Sequence, residues 1–159
     1  MTTYLPSQMA FTDMAVAQVK SVTEPEVLVG DGVAPDAGGW AMGQVNITAF
    51  VPYVVVAVST LIGGADGALA DLYGDAAFVV SLRSYGGSRA QADLAADLGR
   101  RSLADLMLTN VVLGDSGTWR VLSVTYPGLG GPTRIDTVDP PYWSVIDSAR
   151  IALHRTVRP

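Results

Sequence analysis

No cysteine occurs in this 159-residue chain, which excludes disulfides and thiolate metal sites and leaves its redox compartment open. Histidine occurs once, as His154, so a histidine zinc site or a Ser-His-Asp triad would depend on one side chain. Lysine also occurs once, as Lys20, beside nine arginines. Charged residues make up 16% of the chain, and fifteen acidic against ten basic ones leave a formal net charge of −5. A protein that grips duplex DNA by its phosphates carries a basic patch. Here the arginines are scattered and only Arg100 and Arg101 adjoin, so no measurable duplex binding is expected at physiological salt. The longest apolar run, Ala49 to Val58, contains Pro52 and falls far short of the roughly 20 residues of a membrane span. "MTTYLPSQMA" lacks the basic start of a secretory signal, and the chain reads as soluble, with no membrane partner.

What remains is enough for one domain over residues 1–159 with an ordinary core, since a chain this long buries about 70% of its unfolded surface. Ser7 to Val22 has a broad apolar surface and predicts a helix, stopped where Pro25 disfavours the helical conformation at Glu24. A short strand is expected at Val27 to Val29. Residues 30–48 hold five glycines and a proline and read as a long loop with a hairpin around Gly38-Gly39. Trp40 in that loop either folds back on the core or caps a contact with a neighbouring chain. Pro52 to Thr60 is β-branched on both faces, as in a strand buried on two sides. Ala76 to Tyr85 alternates, with Phe78, Val80 and Leu82 on one face. These two strands are expected to pair antiparallel across "GGADGALADLYGD".

Arg89 to Leu108 is the strongest helical pattern. Ala92, Ala95, Leu98, Gly99, Leu103 and Leu106 fall on one side, with Asp93, Asp97, Arg100 and Arg101 opposite. Asp97 with Arg101, and Arg101 with Asp105, have the spacing of helical ion pairs. "TWRVLSVTY" predicts a further strand and "PGLGGP" a turn. Tyr142 to Val157 alternates as a long last strand. Trp143, Val145, Ala149, Ile151 and Leu153 face one way, and Ser144, Ser148, Arg150, His154 and Thr156 the other. Together these elements predict an α+β fold, a mixed, mostly antiparallel sheet with two helices packed on it.

The stretch most like a binding motif is "SYGGSRAQAD", residues 84–93: strand, glycine turn and helix start are the parts of a phosphate cradle. No lysine follows Ser88, however, and the glycine spacing of a dinucleotide site is wrong. A helix cap explains the same residues, with Ser88 as N-cap, Gln91 closing a capping box, and Gly86 and Gly87 supplying a turn with positive φ. Asp31-Gly32 and Asp66-Gly67 lack calcium-loop spacing and read as turns. Asp136, Asp139 and Asp147 are expected along a solvated edge rather than as an acid pair. His154 is expected on a surface or at an interface. No cofactor and no catalytic centre is expected, and a small phosphate-handling enzyme is the least favoured reading.

The order of segments carries more than any motif: "VPYVVVAVS", then "GGADGALADLYGD", then "AAFVVSLRSYGGSRAQADLAADLGRRSL", then "WRVLSV", then "DTVDPPYWSVIDSARIALHRT". Over roughly residues 26–157 this resembles the tail terminator proteins of long-tailed bacteriophages, especially those of GC-rich actinobacterial hosts. The resemblance implies an α+β subunit of the virion, assembled in the host cytoplasm. It implies a homo-oligomeric ring, usually of six copies, at the head-proximal end of the tail tube. Its partners would be the tail tube protein, whose polymerisation it stops, and the head–tail connector protein, which docks on it. A connector or head-completion subunit of the same neck is the alternative. An acidic ring would also let DNA slide through its lumen, since like charge keeps phosphates from sticking. For the contact between subunits, the expectation is Trp40 as anchor, with Arg150, His154 and Arg155 meeting an acidic loop, Asp66, Asp71 and Asp75, of the next copy.

Overall fold

The computed structural model describes residues 6–40, 50–61 and 75–156. Helix α1 (Gln8–Thr23) starts where Ser7 Oγ, on a residue in an extended conformation, accepts from the Ala10 N–H at 3.4 Å. It ends where Glu24, before Pro25, is extended. Strand β1 (Leu28–Asp31) follows, then a two-residue strand β2 (Gly39–Trp40) that pairs antiparallel with β3 (Phe50–Val51). The hairpin expected at Gly38-Gly39 is therefore displaced: Gly39 and Trp40 are themselves strand, and Gly39 has a φ of 93°.

Strand β4 (Tyr53–Leu61) pairs parallel with β1 and antiparallel with β5 (Asp75–Gly86), matching Tyr53 to Tyr85 and Val56 to Leu82. After helix α2 (Arg89–Ala104) come the short β6 (Asn110–Val112), β7 (Thr118–Gly128), β8 (Thr133–Ile135) and β9 (Tyr142–Arg155). The main sheet has the order β1-β4-β5-β9-β7-β6, with β8 also on β9. Only the β1–β4 pairing is parallel, so the fold is the expected α+β type with a mixed, mostly antiparallel sheet.

Alternation decides which face is covered. Phe78, Val80 and Leu82 of β5, and Val145, Ala149, Ile151 and Leu153 of β9, are all fully buried. Both helices lie on this face: Phe11 of α1 stacks on Phe78 with ring centroids 4.0 Å apart, and Gly99 of α2 sits over Leu82 and Val54. A Cβ at Gly99 would come within 3.2 Å of Leu82, so the small residue sets how close the helix lies. Ala92, Ala95, Leu103 and Leu106 are buried as expected. Leu98 is only half-buried at the edge of the core, and Ala96 takes a fully buried place instead.

Helix α2 ends at Ala104, four residues before the apolar spacing runs out. The Leu106 and Met107 N–H groups turn to carbonyls three residues back. Leu108 has a φ of 64°, and its N–H donates to the Val121 carbonyl at 2.9 Å. The sheet thus takes the chain from the helix, and a bond within the helix is exchanged for one to β7. The two valine faces of β4 also differ from expectation. Val54, Val55 and Val56 are buried, but Val58 is half-buried and Ser59 exposed, so only the first half of the strand is covered on both sides.

Candidate functional site

The glycine turn before α2 carries a cap, but not through the expected torsions. Ser88 Oγ accepts from the Gln91 N–H at 3.2 Å. Gln91 Oε1 accepts from the Gly87 N–H at 3.0 Å, one residue earlier than a standard capping box. Neither Gly86 nor Gly87 has a positive φ. Both are needed for close approach: a Cβ at Gly86 would strike the Ala92 backbone nitrogen and Gln91, and one at Gly87 would lie 2.6 Å from the Phe50 Cβ. The space a phosphate would need over Gly87 is filled by Phe50 and by the edge of Trp40.

Trp40 folds back on its own chain. Its ring meets Phe50 edge-on with centroids 5.1 Å apart, and it is half-buried. Its Nε1 is buried with no acceptor among the described residues. This contact begins an aromatic row across the sheet that periodicity along single strands does not reveal. Phe50 lies against Tyr53 (6.2 Å), Tyr53 stacks on Tyr85 (4.7 Å), and Tyr85 meets Tyr142 (5.8 Å). Tyr53 and Tyr85 are register partners on the face away from the helices, so β3, β4, β5 and β9 are joined there by ring contacts.

Burial pushes the Tyr53 hydroxyl up to about 12, helped by the neighbouring Tyr85 and Tyr142. The Tyr126 hydroxyl is also held at about 12, by burial first and by Asp147 second, against the opposing pull of Arg100. A raised value means that the folded state resists ionisation. The stabilisation from keeping both phenols neutral is therefore complete below pH 10, their ordinary value, and fades as pH rises towards 12. Alkaline titration followed by phenolate absorbance should show two tyrosines ionising last, together with loss of the folded state. Six tyrosines titrating as one class near 10 would contradict the burial of these two.

The last strand holds the largest correction. Asp147 is not on a solvated edge: its side chain is 0% exposed. Odd-numbered residues of β9 face the helices, and Asp147 shares that face with Val145 and Ala149. Arg100 meets it with two bonds, Nε to Oδ2 and Nη2 to Oδ1, both 2.9 Å. Asp147 Oδ1 also accepts from the Gly130 N–H, and Arg100 Nη2 donates to the Gly130 carbonyl. Tyr126 donates its hydroxyl proton to the Arg100 carbonyl at 2.6 Å. The bond to Asp147 raises the Arg100 guanidinium above its already high value. Arg100, expected on the solvent side of α2, thus ties that helix to β9, to β7 and to the turn after β7. Asp97 pairs with Arg100 at 3.1 Å, where Arg101 had been expected, and Arg89 approaches Asp93 at 3.8 Å.

The remaining expected residues divide. Asp75 and His154 are register partners on β5 and β9, with His154 Nδ1 2.7 Å from Asp75 Oδ1, so this acidic group meets the histidine of its own chain. Arg150 lies on the same face as His154. Arg155 does not: odd parity turns it to the other face, where its guanidinium lies 5.8 Å from the Trp119 ring centre. Asp66 and Asp71 fall outside the described residues. Asp136, another of the expected edge acids, pairs with Arg134 at 2.8 Å on the surface. Among the described residues, no helix is long and apolar enough to cross a membrane.

The class of protein these features define is an α+β domain with two helices on one sheet face and an aromatic row on the other. No family model and no curated protein matches the chain. A solved structure whose name states no activity is similar over 94% of this chain and 94% of its own, with a TM-score of 0.50 and 18% identity. At that identity the likeness is one of fold alone.

Proposed function

We propose that this chain is a structural virion protein, the terminator of a phage tail tube, acting as a ring at the tube's head-proximal end. The observation that carries the reading is the order of segments over residues 26–157 and the elements they form. "PYVVV" runs from Pro52 into β4, "SYGGSRAQAD" runs from the end of β5 into the capped start of α2, and "PPYW" leads into β9. These three segments form parts of the α+β fold, the fold type a terminator subunit would have. The reading asks for no catalytic centre or cofactor, only for a rigid sheet presenting surfaces to its own copies, to the tube protein and to the connector.

The test is assembly of particles lacking this protein, with and without the purified chain added back. Without it, tails should overgrow and stay headless, and adding it should restore one length and head joining. Tails of normal length that merely fail to join heads would favour a connector subunit. Normal, joined tails would overturn both readings.

A further inference from the structure

We propose that the arginine-bearing face of the sheet, the one away from the helices, binds the acidic β1 rim of a second copy of this chain, head to tail. This rests on the ring reading above and names the surfaces that meet. Charge along the chain is segregated: between Lys20 and Arg83 there are seven acidic residues and no basic one. Four of the seven, Glu24, Glu26, Asp31 and Asp36, are exposed around β1, an edge strand of the sheet. None of the four has an ion pair among the described residues.

The opposite charge gathers on the face away from the helices. Register and alternation place Arg83 of β5, Arg150 of β9 and Arg120 of β7 there. Asp75 is the one carboxylate that β5, β7 and β9 bring to that face among the described residues, and His154 holds it. Arg83 and Arg120 are exposed. Their partners on β9, Ile146 and His154, are eight residues apart, so the row spans roughly 27 Å. Ile146, 60% exposed beside Arg83, adds an apolar contact.

An acidic rim and a basic face on one subunit form a heterologous contact, which repeats from copy to copy and closes into a ring when the rotation allows. Single exposed ion pairs contribute little. A sign-matched row instead orients the partners and rejects a copy presented the wrong way round. The contact is therefore sensitive to salt.

The experiment measures the mass of the full chain by sedimentation, free and on tail tubes, for the wild type and two charge-reversed variants. Arg83→Glu with Arg120→Glu turns the face acidic like the rim, and Glu24→Arg, Glu26→Arg, Asp31→Arg and Asp36→Arg together turn the rim basic like the face. Each variant alone should associate at least about tenfold more weakly than the wild type, at unchanged circular dichroism. Mixed one to one, rim and face again have opposite signs at every contact, so assembly should return. Variants that keep the wild-type mass, or a mixture that fails to assemble while each stays folded, would overturn this interface and leave the ring reading standing. A wild type that stays monomeric both free and on tubes would remove the ring reading itself. Duplex DNA is the rival occupant: salt-sensitive binding of a DNA fragment to the wild type, lost in the arginine variant at unchanged mass, would overturn the proposal in its favour.

Discussion

Arg100→Met should lower stability by about 3 to 5 kcal/mol in urea unfolding, because it leaves Asp147 charged and enclosed without its partner. Against a total of roughly 5 to 15 kcal/mol for a domain, that is a large share. Asp147→Asn should cost less. The amide oxygen can still accept from the Gly130 N–H, and the Arg100 side chain, 26% exposed, keeps contact with water and with Asp97. The double variant Arg100→Met with Asp147→Asn should be more stable than Arg100→Met alone, since a neutral Asn needs no counter-ion. If Arg100→Met unfolds at the wild-type urea concentration, the buried pair does not hold α2 to the sheet.

Phe78→Ala should cost a further large amount, about 3 to 5 kcal/mol, or on the order of 10 °C in Tm for a chain this long. Phe78 is fully buried near the start of β5, and its ring stacks on Phe11, 8° from parallel. The mutation opens a cavity where α1 meets the sheet, and backbone hydrogen bonds across three paired strands prevent its collapse. Phe11→Ala in the same background should cost less than in the wild type, because the two rings share one contact. Additive losses measured by thermal unfolding would show that the rings do not pack on each other.

These two residues differ in how readable they were. Phe78 follows from alternation within one strand, and so do Val80 and Leu82, while the antiparallel partnership of β4 with β5 follows from their succession along the chain. The start of α2 was readable because Ser88 and Gln91 are local signals, and its end was not, because Leu106 continues the helical spacing into a turn that β7 governs. Asp147 was misplaced because a carboxylate in an alternating strand suggests water. The parity it shares with Val145 and Ala149 was available, and the same parity separates Arg155 from Arg150. Arg100, its partner, lies 47 positions away and cannot be found without the fold. The aromatic row needs the register of several strands at once. Gly86 and Gly87 were recognised as necessary, but packing against Ala92 and Phe50, which no local pattern encodes, is the reason. Of the expected interface residues, Asp75 and His154 do meet, within one chain.

The central claim is that the chain caps a tail tube, and the most direct measurement is the length of tubes grown from purified tube protein with and without it, imaged by electron microscopy. The account predicts that adding the chain arrests growth and leaves a ring of density at one end of each arrested tube. Tubes of unchanged length with bare ends, at concentrations where the chain is folded, would contradict it.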